Sequence, residues 1–199
     1  MIRFDDLTRE ERYFSATILP HLLSYNNFNG LKLLFEFLNK KIFSKNNVCI
    51  DTNEFQKNLS SLQIITEPDL ERDLSFYKIS IPSECFTNDK SKRSKPDLLI
   101  IYEQWALIFE VKLFSKFSEY SLNEQMLEQT YILDIIKNMS NDKIKNVRQI
   151  AICPYEYTLE SFDLITWEEI YNIYSSVIPE DDYFYKRLNS AIERYKKNN

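Results

Sequence analysis

Glycine occurs once in these 199 residues, at Gly30. Neither a GxGxxG fingerprint nor a P-loop can be built from one glycine, so a Gly-rich phosphate cradle is excluded. Histidine also occurs once, at His21, which excludes any mechanism that needs two imidazoles. The three cysteines, Cys49, Cys85 and Cys153, stand far apart without paired spacing, which argues against a structural zinc site. The opening MIRFDDLTREER has no apolar h-region, and no run nears the ~18 apolar residues of a membrane span. Neither a signal peptide nor a span is expected, and isolated cysteines then fit a reducing cytoplasm. There is no excess of positive charge. The net charge of −5 is unlike that of most non-specific nucleic-acid binders, although local basic patches can still contact phosphate.

What the chain does have is an ordinary globular composition, 44% hydrophobic and 28% charged, in a length that can bury a full core. One domain over residues 1–199 is expected, with its core at about 8–177 and a C-terminal helix at 181–195. Thr8-x-x-Glu11 reads as a capping box that opens a helix to Ser24, with Phe14, Ile18 and Leu22 at helical spacing. Asn26-Asn27 and Asn29-Gly30 mark a turn before a second helix, Leu31 to Phe43. Val48 to Ile50 and Leu62 to Thr66 read as strands, the second interrupted by Glu67-Pro68. Leu74 to Ile81 alternates as a half-exposed strand does. Ser121-x-x-Glu124 is a second capping box, for one long helix to about Met139. Val147 to Cys153 and Phe162 to Ile165 are further strands, and Thr166-x-x-Glu169 caps a helix to about Val177.

The most informative stretch is Lys95 to Lys112, KPDLLIIYEQWALIFEVK. Leu98–Tyr102 and Trp105–Phe109 are two apolar runs separated only by Glu103 and Gln104. A two-residue turn there fixes an antiparallel register. Counting back from it brings Asp97 opposite Glu110, with Cβ atoms about 4.5–5.5 Å apart. Lys112 lies two residues past Glu110 and so shares its face. Burying charge costs several kcal/mol per ion unless it is paired or neutralised by a metal, and this trio gathers at the open end of an apolar hairpin. The plain alternative is a surface ion pair at a strand end, worth roughly 0–1 kcal/mol.

Pro96-Asp97, twelve intervening residues, then Glu110-Val111-Lys112 resembles the PD-(D/E)XK motif of the restriction-endonuclease-like nuclease superfamily. The resemblance implies an α/β (α+β) fold, a central mixed β-sheet flanked by helices. It implies Mg²⁺ or Mn²⁺ bound by Asp97, Glu110 and the Val111 carbonyl, with Lys112 orienting or deprotonating a water or stabilising charge. It further implies a possible acid from the first helix, for which Glu11 is the candidate; the capping box explains Glu11 equally well. Gln125 resembles the glutamine that members place on the helix after ExK, and a solvated helix face is its alternative. Gln125, Gln129 and Tyr131 give QxxxQxY rather than the QxxxY of the RecB-like branch. Lys92, Arg93 and Lys95 just before the motif are candidate phosphate contacts or simply solvated. Glu67, Glu71 and Asp73 are rival acids whose charged setting fits solvation, and His21 fits packing or exposure better than catalysis.

The expected function is a metal-dependent nuclease acting on DNA rather than RNA, in restriction, repair or defence against mobile DNA. A homodimer or a protein partner is expected to supply specificity. The alternative is a catalytically silent nuclease fold used as a protein- or nucleic-acid-binding module. A chance motif, with Asp97 and Glu110 pointing apart, is the third reading.

Overall fold

The computed structural model describes residues 10–69, 72, 95–112, 118–140, 143–154, 159 and 162–198. Five strands among them form one mixed sheet, in the spatial order in which they occur in the chain. The strands are β1 (Gln63–Thr66), β2 (Leu98–Tyr102), β3 (Trp105–Val111), β4 (Asn146–Cys153) and β5 (Asp163–Thr166). β1, β2 and β3 are antiparallel neighbours, whereas β3, β4 and β5 run parallel. The helices are α1 (Glu10–Tyr13), α2 (Leu19–Lys41), α3 (Glu119–Glu128), α4 (Thr130–Met139), α5 (Trp167–Tyr174) and α6 (Tyr183–Asn198). The fold is thus α/β, a mixed sheet with helices on both faces, as expected. Among the described residues no helix is long and apolar enough to cross a membrane.

Strand alternation assigns the two faces. Leu98, Ile100 and Tyr102 of β2, with Trp105, Leu107, Phe109 and Val111 of β3, pack in the main core under α2, α5 and α6. The opposite face carries Leu99, Ala106, Ile108 and Val147, covered by Ile132 and Ile136 of α4. Further along, Leu122 and Met126 of α3 sit on Ala151 and Cys153 of β4. They are one turn apart on the same stripe, and each contributes about 1.5–3 kcal/mol by leaving water. Glu110 and Lys112 belong by parity to this second face, so the sheet separates its largest core from them.

The β2–β3 turn lacks the Asn-Gly or Asp-Gly pair that such turns favour, and Glu103 takes a left-handed φ of 50°. Neighbouring groups hold it there. Ser61 Oγ accepts the Glu103 N–H at 3.2 Å, and Asn58 Nδ2 donates to Glu103 Oε1 at 2.6 Å. The Gln104 carbonyl accepts Lys145 N–H at 2.9 Å and Asn146 N–H at 3.0 Å, which also starts β4.

Near the N-terminus, α1 runs through a π-helical turn, Phe14–Ile18, into α2. The range of α2 breaks at Tyr25–Phe28, where Asn26, Asn27 and Phe28 have φ of 47°, 54° and 64°. The expected two helices and Asn-rich turn are therefore present. The Thr8 hydroxyl of the first capping box lies outside the described residues, as does the expected strand Leu74–Ile81.

Three expectations are corrected. Val48–Ile50 is not a strand, because Asn39 satisfies the Ile50 backbone instead. Asn39 Nδ2 donates to Ile50 O and Asn39 Oδ1 accepts Ile50 N–H, both at 2.8 Å. The capping box of α3 is Ser118 with Ser121, not Ser121 with Glu124. Ser118 Oγ accepts Ser121 N–H at 3.1 Å and Ser121 Oγ accepts Ser118 N–H at 3.0 Å. The expected single helix to Met139 is broken at Gln129. There Thr130 Oγ1 donates to Leu127 O at 2.7 Å, a side-chain bond that competes with the helical ladder.

Gly30 is required where the second half of α2 folds back on the first. A Cβ at residue 30 would stand 1.9 Å from the Leu22 carbonyl oxygen, a backbone atom that cannot step aside. Gly30→Ala is expected to destabilise the fold by about 1–3 kcal/mol in urea unfolding; an unchanged midpoint would contradict this packing.

Candidate active site

The hairpin register aligns Leu98 with Phe109 and Tyr102 with Trp105. The paired ladder ends at Leu98–Phe109, and Asp97 stands at a bend just before β2. The Asp97 main chain is fixed on both sides: its N–H donates to Phe109 O at 3.1 Å and its carbonyl accepts Glu67 N–H at 2.8 Å. The side chain turns across the hairpin, where Oδ2 accepts Val111 N–H at 2.8 Å. Glu67 itself has a left-handed φ of 48°, and its carboxylate is engaged by both the Nε and a terminal nitrogen of Arg12. The Arg12 hydrogen bond holds Glu67 below the usual carboxylate range. Glu67 is thus not simply a solvated acid. It ties α1 to the end of β1 beside Asp97.

Glu110 is 2% exposed. Lys112 Nζ pairs with its Oε1 at 2.8 Å, and the lysine side chain is itself only 13% exposed. Gln125 Nε2 donates to the same oxygen at 2.6 Å, while Gln129 Nε2 donates to Oε2 at 2.7 Å. An ionised carboxylate only accepts, and an ammonium and two amide NH₂ groups match it. Ala151 is the residue beside Glu110 on β4, and its small side chain leaves the face open to these longer ones. The Lys112 backbone is equally fixed. Its N–H donates to Ile152 O at 2.8 Å, and its carbonyl accepts the Trp167 indole N–H at 2.9 Å. Trp167 meets Phe14 edge-on at 5.8 Å, so the π-helical turn buttresses the end of β3.

The structure therefore brings Lys112 and Gln125 into direct contact with Glu110 and sets Asp97 just before the adjacent strand. Gln129 is a contact that was not among the candidates; its signal was the one-turn spacing from Gln125. Of Glu11 only the backbone is described, within α1, and its side chain lies outside the described residues. Lys92, Arg93, Glu71 and Asp73 also lie outside them. Lys95 is exposed and pairs with Asp69. His21 Nε2 lies 3.3 Å from Asp182 Oδ2 with its ring against Phe184, consistent with packing.

Among the described residues no three His, Cys, Asp or Glu side chains converge as a metal cluster. The charged oxygen donors near the end of the hairpin are the Asp97 and Glu110 carboxylates. Hard oxygen donors few in number suit Mg²⁺, which retains several waters, better than zinc or copper.

The Glu110–Lys112 pair makes a stability prediction. Removing one partner of a buried pair leaves the other charge uncompensated. In EDTA, Lys112→Met is expected to lower unfolding free energy by on the order of 3 kcal/mol. Adding Glu110→Gln should recover part of the loss. A Lys112→Met protein as stable as wild type would show that the pair is not buried as described.

No family model and no curated protein matches this chain. Among solved structures, the small subunit of the heterodimeric restriction endonuclease R.BspD6I is similar with a TM-score of 0.28 and 12% sequence identity. That match covers 96% of this chain and 99% of the other.

Proposed function

We propose that this chain is a metal-dependent nuclease that hydrolyses DNA phosphodiester bonds. The observation that carries the reading is the buried carboxylate of Glu110, bonded to Lys112 Nζ and Gln125 Nε2 and next in sequence to Val111, whose N–H holds the Asp97 carboxylate. Asp97 and Glu110 would hold Mg²⁺ or Mn²⁺, with the Val111 carbonyl completing the site. The bound ion supplies charge neutralisation on the phosphate and a more acidic water. Asp97 enters this role already oriented, since Val111 N–H fixes one carboxylate oxygen. Lys112, an ammonium paired with Glu110, suits stabilising charge on the phosphate oxygens more directly than deprotonating water, because it donates and cannot accept. Gln125 bridges the helix to the same carboxylate and would orient it or the substrate.

Restriction, repair or defence against mobile DNA is the setting the motif resemblance implies. Specificity would come from a second copy or a partner protein. One observation favours the second reading, a nuclease fold kept as a binding module. Among the described residues Glu110 already has three donors, so its carboxylate is met by the protein itself.

Cleavage of linear, circular and single-stranded DNA and of RNA, with Mg²⁺, Mn²⁺ or EDTA, separates these readings. Wild type is expected to cut DNA only with metal, and Lys112→Ala to lose roughly 10²-fold or more of that activity. Equal cutting by both proteins would remove the proposed site. If neither cuts any substrate, the binding module is the better account.

A further inference from the structure

Three donors among the described residues meet Glu110, and they divide unequally between its oxygens. Oε1 is shared by Lys112 Nζ and Gln125 Nε2, whose residues keep some exposure to solvent. Oε2 receives Gln129 Nε2, and Gln129 is fully buried. A buried amide costs free energy unless its polar atoms are bonded, and an apolar residue would fill this place beside Ile132 and Met126 without that cost. The position is structurally marked as well. Gln129 sits at the junction of α3 and α4, and its N–H is shared between Gln125 O at 3.3 Å and Met126 O at 3.2 Å. Side chains one turn apart rise about 5–6 Å from each other, so the arms of Gln125 and Gln129 bracket the carboxylate.

We infer that Gln129 is a positioning residue that fixes the inner oxygen of Glu110, so that Oε1 is the oxygen presented to a divalent cation. The inference rests on the proposed metal site. A cation arriving at Oε1 meets Lys112 and Gln125, which must make room for it. Gln129 has no such conflict, and it holds the carboxylate in place while the outer contacts rearrange. Groups that orient a metal ligand in this way influence affinity by roughly ten- to a hundredfold.

A second buried glutamine provides the control. Gln149 is 5% exposed and donates to Met126 O at 2.9 Å, so it pins α3 to β4 without touching Glu110. Mn²⁺ is titrated into the full chain while the paramagnetic resonance signal of free Mn²⁺ is followed. Wild type, Gln129→Met and Gln149→Met are compared, with cooperative melts in EDTA to establish folding. Gln129→Met is expected to bind Mn²⁺ roughly ten- to a hundredfold more weakly, while Gln149→Met loses stability but keeps wild-type affinity. If Gln129→Met does not fold, Gln129→Asn replaces it, since its amide is one methylene too short to reach Oε2. Wild-type affinity in the folded Gln129 variant, or equal loss in both glutamine variants, would overturn the inference and leave the metal site standing. Absence of Mn²⁺ binding by wild type would instead overturn the metal site, and this inference with it.

Discussion

Taking a carboxylate out of water costs several kcal/mol unless its lone pairs are met. Glu110 is such a group, and the way its lone pairs are met ties the molecule together. Lys112 reaches it from the same strand, and Gln125 and Gln129 reach it from the helices that cover this face. The apolar contacts of α3, Leu122 and Met126 on Ala151 and Cys153, hold that helix close enough for the glutamines to meet the carboxylate. Polar satisfaction and apolar packing therefore require the same helix position.

The backbone beside the site is held by bonds from several directions. Asp97 is fixed through its N–H, its carbonyl and its side chain, each to a different residue. Lys112 is fixed by β4 on one side and by the Trp167 indole on the other. Trp167 begins α5 under a reciprocal Thr166–Glu169 cap, so the start of that helix is set independently of the site. These bonds fix the backbone at the end of the hairpin from several sides.

The central hairpin was legible because its two apolar runs leave only two residues for the turn, and a strand's period of two then determines which side chains share a face. The Thr166–Glu169 cap and the Asn-rich break before Gly30 were legible for similarly local reasons. Tertiary bonds decided the rest. Val48–Ile50 has strand composition, but Asn39, distant in sequence, takes its backbone. Two overlapping serine-based caps were available before α3, and Ser118 won by bonding reciprocally with Ser121. Gln129 was visible as a residue one turn from Gln125, but its contact with Glu110 depends on the junction between α3 and α4, which helical periodicity does not encode.

The most direct measurement of the account is a crystal structure of the protein soaked in Mn²⁺, with anomalous differences recorded. The account predicts a peak bridged by the Asp97 and Glu110 carboxylates, with Gln129 still on Glu110 Oε2 and Lys112 Nζ shifted from Oε1. An empty site between these carboxylates at saturating Mn²⁺, with the Glu110–Lys112 bond intact, would contradict it.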